Sequence, residues 1–249
     1  MPKIAIIAAL EREVWPLVSG PGWRRTGLVQ APSGCFESAS AVVVCAGIGG
    51  GPASSAVERL LQKFQPAGIV SAGLAGAVVP ELKVGSIFVP ATVLDTSTKL
   101  SLSIPVAGAE GILVSASSAA GAEGKRLLGA QYGAQAVDME AGAVGKIAQL
   151  HGIPFLAVKA ISDEYDFPMP DLQPYISSQG QFQTAKFVLA IARRPACWGV
   201  IRRLRANTLR AARQLCRRLQ PLVENGSLDW NTPSAGGPEG ASRSRTISA

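Results

Sequence analysis

Short β-branched apolar runs that alternate with glycine turns and helical patterns restrict this chain more than any other feature. Residues 3–9 form an apolar run short enough for a buried strand, and a helical start carrying Glu13 follows it. A second strand is predicted over 41–46. It leads into Gly47-Ile48-Gly49-Gly50-Gly51-Pro52 and an amphipathic helix over 53–64, with Ala56, Val57, Leu60, Leu61 and Phe64 on one side. Residues 68–70 read as another buried strand ending in a small-residue turn over 71–77, and 87–89 as the next strand. Between 96 and 124 the pattern is weak, with one short strand over 112–115 and a short helix over 125–135. An apolar run then passes into a helix at 135–143, which continues through Val144, Ile147, Ala148 and Leu150 and closes at His151-Gly152 before a strand over 153–157. Such alternation is the pattern of an α/β protein around a sheet with buried faces.

At 249 residues the chain suits one large α/β domain, alone or with an appendage. Cys35, Cys45, Cys197 and Cys216 share no close spacing and no histidine cluster, which argues against a metal site or a disulfide framework. The start shows no leader pattern, and no uncharged apolar run approaches about 18 residues, so a cytoplasmic protein is expected.

The net charge of +7 is unevenly spread. Residues 182–220 hold Lys186 and nine arginines without an acid, so the rest of the chain carries 14 basic against 17 acidic residues. Over 201–219, Ile201, Leu204, Thr208, Ala211, Ala212, Leu215 and Leu219 share one helical arc. Arg202, Arg203, Arg210, Arg213, Arg217 and Arg218 lie outside it. A basic amphipathic helix docks on its own domain, lies on an anionic membrane, or binds nucleic acid. The arginines are not interleaved with base-stacking aromatics, which disfavours nucleic acid. Peripheral membrane contact through 193–219 remains open beside simple docking. The expected division is a catalytic domain over 1–190, a basic helical extension over 191–225 and a disordered tail over 226–249.

Three acidic positions stand near predicted strand ends. Asp138-Met139-Glu140 opens a helix, Ser162-Asp163-Glu164 follows the apolar run after it, and Glu13 follows the first strand. Side chains there face the crevice where α/β sheets bind ligands. Acids at helix starts also serve only to complement the helix dipole. The turn 47–52 reads as an anion or ribose cradle, Gly47 included. Pro52 occupies the place of a dinucleotide fingerprint's third glycine, and no ribose-binding acid follows the next strand, so a nicotinamide or flavin cofactor is not expected. Small residues at 71–76, Gly73 and Gly76 among them, permit close approach of a ligand, although tight strand packing selects them equally. His151, the only histidine, is expected to cap or pack.

Four segments in order resemble the purine nucleoside phosphorylase and nucleosidase superfamily, most of all its adenosine-derivative nucleosidase branch. They are residues 3–13, 71–76 with 82–85, 137–140 (Val-Asp-Met-Glu) and 158–163 (Val-Lys-Ala-Ile-Ser-Asp). The resemblance implies a three-layer α/β/α domain around a mixed central sheet, in a homo-oligomer, cleaving the N-ribosyl bond of an adenine nucleoside without cofactor or metal. It implies that Asp163, positioned by Ser162, protonates purine N7, that Glu140 binds ribose hydroxyls with Met139 against the sugar, and that Glu13 holds the attacking water. Lys159 stands where the nucleosidases carry an arginine. Phosphate is the alternative nucleophile, disfavoured because Glu13 would repel it.

The departures are specific. The interval between 89 and 138 is short, Val114-Ser115 is followed by no aromatic for base stacking, and Leu74 replaces an expected serine. Together with the basic extension and residues 162–170, they resemble the phosphorylase-like subgroup associated with hopanoid biosynthesis. That subgroup implies an adenosyl-hopane lipid as substrate. The alternatives are a methylthioadenosine/adenosylhomocysteine nucleosidase of methionine salvage and a non-catalytic nucleoside binder.

Overall fold

A computed structural model describes residues 3–177 and 179–228, so from residue 229 onward the expected tail lies outside the described residues. In chain order the strands are β1 (Ile4–Ala8), β2 (Arg24–Arg25), β3 (Cys35–Glu37), β4 (Ala41–Cys45), β5 (Ile69–Ala77) and β6 (Ile87–Phe88). They continue with β7 (Thr92–Asp95), β8 (Ser101–Ser103), β9 (Ile112–Ser115), β10 (Ala136–Asp138) and β11 (Phe155–Asp163). The helices are α1 (Glu11–Val18), α2 (Gly50–Leu61), α3 (Ala122–Tyr132), α4 (Ala141–Leu150), α5 (Thr184–Ala192) and α6 (Trp198–Asn225).

All the strands join one mixed sheet, and β5 is its hub. It runs parallel to β1 and β11 and pairs antiparallel with β10 near its end. From β1 the sheet continues through β4, β3 and β2, and from β10 through β9, β7 and β8, while β6 pairs with β11. Side chains alternate across a strand, so β1 feeds both faces. Ile4, Ile6 and Ala8 join Val14 and Leu17 of α1 and Leu215 and Leu219 of α6. Ala5 and Ile7 join Ala53, Val57 and Leu60 of α2 and Val144 and Ala148 of α4. The result is the expected three-layer α/β/α domain around a mixed central sheet.

Several boundaries differ from the sequence reading. Residues 71–77 form no turn, because β5 continues to Ala77 with β11 paired along its length. Glycine is disfavoured in strands for want of a side chain to pack, but here buried lysines fill the space beside it. Helix α2 begins at Gly50, three residues early, since Gly49 at φ 100° makes the entry bend. Strand β11 reaches Asp163, so the second acidic position lies in the sheet. Between 96 and 124 a further strand, β8, pairs with β7, and α3 starts at Ala122.

The basic helix divides into two parts. Ala211, Ala212, Leu215, Leu219 and Leu222 of α6 are buried, so its distal half is a layer of the domain. Its proximal half, from Trp198 to Arg210, is largely exposed.

Candidate active site

The site lies at the carboxyl ends of β1, β5, β10 and β11, and one buried lysine organises most of it. Lys159 is opposite Gly73 in the β5–β11 register, and its side chain is 1% exposed. Its ammonium bonds Asp138 Oδ2 at 2.7 Å and Ser71 Oγ at 3.1 Å. Asp138 also accepts from the Ala141 amide at 2.9 Å and from Ser115 Oγ at 2.5 Å, so its carboxylate is fully engaged. A buried charge survives only when paired in this way.

Glu13 sits in the first turn of α1, and burial pushes its carboxyl up to about 6 against the pull of Arg12 and Lys159. Its Oε2 is buried and receives no hydrogen bond from the described residues. Gly73 supplies the clearance, because a Cβ there would lie 3.3 Å from Glu13 Oε2 and 3.7 Å from Lys159 Nζ. Glu140 precedes α4, and its Oε1 accepts the Gly49 amide at 2.7 Å. Burial and then the Asp138 charge raise its carboxyl to about 7, while Lys159 and the Gly49 amide pull it down. The glycine turn thus holds a carboxylate of the site with a backbone amide. Gly47 itself, at φ 100°, lies beneath residues 179 and 180, where a Cβ would meet the Gln179 carbonyl oxygen at 3.0 Å.

Asp163 forms a second centre opposite Gly76, three residues along β5 from Gly73 and so about 10 Å away. Its Oδ1 accepts from Ser162 Oγ at 2.6 Å, and its Oδ2 is ion-paired with Lys125. Lys125, 1% exposed, also donates to the Glu164 carbonyl oxygen at 2.7 Å. A Cβ on Gly76 would come within 2.8 Å of Lys125 Cε and 2.9 Å of Asp163 Oδ2. The two glycines read as ligand contacts therefore make room for buried lysines.

Beside Met139 opens a cavity of about 400 Å³ lined by Gly49, Ser54, Ser97, Ser115 and Ser117 with no aromatic among its lining residues, in line with the missing base-stacking residue. A larger cavity of about 910 Å³ lies between Arg25, Pro32 and Arg59 and contains none of the acidic set.

Glu13, Glu140 and Lys159 are brought into one charge cluster, and Asp163 stands beyond it with Ser162. Sequence reasoning missed Lys125, the anchoring role of Asp138, and the hydroxyls of Ser71 and Ser115. Nothing in the pattern around Lys125 distinguishes it from a solvated helix lysine; its neighbour Leu127 is the exposed one, at 63%. His151, expected to cap or pack, is the exposed C-cap of α4.

Curated relatives and solved structures agree with this architecture. A 5′-methylthioadenosine/S-adenosylhomocysteine nucleosidase of Actinobacillus succinogenes is 29% identical over 201 residues, covering 66% of this chain and 86% of the relative. The enzyme of the same name from Shewanella sediminis is 25% identical over 226 residues, covering 76% and 98%. Among solved structures, the Helicobacter pylori 5′-methylthioadenosine/S-adenosyl homocysteine nucleosidase superposes with a TM-score of 0.65 at 17% identity, over 90% of this chain and 98% of that one. The futalosine hydrolase of Helicobacter pylori does so with the same score, identity and coverage. The family model described as the phosphorylase superfamily matches residues 3–114 and 105–192. With the mixed sheet and the carboxylates at its strand ends, this match shows that the chain belongs to the phosphorylase superfamily.

Proposed function

We propose that this chain, a nucleosidase or nucleoside phosphorylase by family, hydrolyses the N-ribosyl bond of an adenine nucleoside. The carrying observation is the buried Glu13 Oε2 that no group of the described residues satisfies, beside Lys159 and Glu140. Such an oxygen is a place for an O–H donor, and a water there can lose its proton to Glu13 as it attacks C1′. The C1′–N9 electron pair leaves with the purine, whose N7 takes a proton through Asp163, supplied to that carboxylate by the Lys125 ammonium paired with it. General-acid help of this kind is worth about 10²- to 10⁴-fold. Glu140 accepts ribose hydroxyls and stabilises the positive charge that develops on the ring. A phosphate would face Glu13, Glu140 and Asp138, and the cluster's lysine, Lys159, is already bound to Asp138. Water is therefore the assigned nucleophile.

For the group on the 5′ side, the reading is a lipid of the adenosyl-hopane type. It rests on the likeness of residues 162–170 to the hopanoid-associated subgroup and on the basic, partly apolar surface near the site. A second reading, a methylthioadenosine/adenosylhomocysteine nucleosidase, is favoured by the names of the relatives.

The test is free adenine released from methylthioadenosine, adenosylhomocysteine, adenosine and a 5′-alkyl-adenosine, each with and without phosphate. Adenine without phosphate is expected, with the alkyl substrate preferred. A requirement for phosphate overturns water, and preference for methylthioadenosine overturns the lipid assignment. Asp163→Asn should abolish turnover while nucleoside binding persists; no adenine from any substrate would leave only the binder.

A further inference from the structure

We propose that the projecting α5 and proximal α6 segment, residues 184–210, is a peripheral docking element for an anionic lipid bilayer. The proposal goes beyond the N-ribosyl reading and does not need it. The membrane-facing region expected over 193–219 is narrowed and shifted by the burial pattern, since the distal half of α6 spends its apolar face on the core. On the proximal half, Trp198, Arg202, Arg205 and Leu209 are all exposed, Trp198 at 55%. Their i, i+4, i+7, i+11 spacing sets them in one stripe of the helix. On α5, Phe187 turns inward to Tyr175 and Phe182, with ring centroids 5.1 and 5.3 Å away. Val188, at 57%, and Leu189 are left outside.

Exposed large apolar side chains set among cations are what an interfacial element presents, apolar groups to the acyl boundary and cations to the headgroups. Arg193, Arg194, Arg202 and Arg205 are exposed, and no acid occurs between residues 182 and 220. This one-sign charge fits an anionic surface and repels a second copy of the same face. A nucleic acid would use the arginines but leave Val188, Leu189 and Leu209 in water. Among the described residues no helix is long and apolar enough to cross a membrane, so the contact is superficial.

The root of this element lies against the candidate site. Gly180 accepts the Ile48 amide at 2.8 Å, in the turn whose Gly49 holds Glu140. Phe182 lies under Arg12, 5.4 Å from guanidinium carbon to ring centroid, next to Glu13. A bilayer meeting residues 184–210 is thus held close to the elements that carry Glu13 and Glu140.

The test is flotation of the full chain with vesicles of phosphatidylcholine alone and of phosphatidylcholine mixed with phosphatidylglycerol, at low and high salt. Binding is expected to the anionic vesicles only and to fall with salt. The double variant Arg202→Glu/Arg205→Glu should weaken it about tenfold or more, as charge reversal at a headgroup surface does. Val188→Ser/Leu189→Ser should weaken it at constant charge. Both variants change only exposed side chains and should keep the melting temperature and adenine release from a water-soluble nucleoside. Equal indifference to both vesicle types, unchanged binding by the variants, or tighter capture of single-stranded DNA or of a second copy overturns the proposal. A chain that ignores vesicles yet releases adenine loses the docking element and keeps the N-ribosyl reading, and the reverse result does the opposite.

Discussion

Glu13 and Glu140 carry the clearest consequences of burial. Each has a folded-state pKa raised from an ordinary 4.5, to about 6 and about 7. Between 4.5 and those values the folded chain binds more protons than the unfolded one, so stability falls as pH rises through that window. Urea midpoints measured from pH 4.5 to 7.5 should therefore decline, and Glu13→Gln and Glu140→Gln should flatten the decline. Activity should run the other way. Glu13 must be ionised to take the proton of water and Glu140 to stabilise the charge on the ring, so kcat/KM is expected to rise with pH through about 6 to about 7. The two glycines of β5 make a paired prediction. In Gly76→Ala the new methyl would force Lys125 off Asp163, whereas Gly73→Ala meets its neighbours at 3.3 Å or more. Overpacking a tight core costs about 1–3 kcal/mol, so Gly76→Ala should show the larger loss of melting temperature and of kcat. Little of this was legible beforehand. The acids announced themselves at strand ends, but a buried lysine and a surface lysine have the same letter, and Lys125 sits in a helix whose pattern points the wrong way.

At the scale of elements, legibility followed the hydrophobic pattern and stopped where pairing overrode it. Strand β9 matches its expected span because a β-branched run bounded by polar residues has one good reading. Strand β5 runs past its expected end because Ser71-Ala72-Gly73-Leu74-Ala75-Gly76 contradicts strand propensity, which bends to neighbours on both sides. Helix α6 was legible as amphipathic but not in how its length is shared between core and solvent. Leu215 and Leu219 are fully buried, while Leu209 is 47% exposed. Leu215→Ala or Leu219→Ala should cost about 2–5 kcal/mol, and Leu209→Ala should stay within about 0.5 kcal/mol. Denaturant midpoints of the three variants test this directly. Equal losses would mean that the proximal half packs as tightly as the distal half.

At the scale of the whole molecule, the basic helix and the acidic site are mechanically joined. Cys216 Sγ on α6 donates to the Glu13 carbonyl oxygen at 3.4 Å, and the Val223 carbonyl oxygen accepts from Ser40 Oγ at 2.5 Å. Helix α6 covers the same face of the sheet as α1, whose Val14 and Leu17 share its cluster. Removing residues from 198 onward would strip apolar side chains from that face at about 25 cal/mol per Å² exposed. It would also release the turn that aims Glu13. Domains of this kind keep only about 5–15 kcal/mol in hand, so a chain ending at residue 197 should not fold, as judged by lost soluble yield and an absent melting transition. A basic extension that served only to meet a partner would come off without harm. The circular dichroism melt of the truncated chain separates these cases, and a cooperative transition near that of the full chain would show that the helix is an appendage rather than a layer.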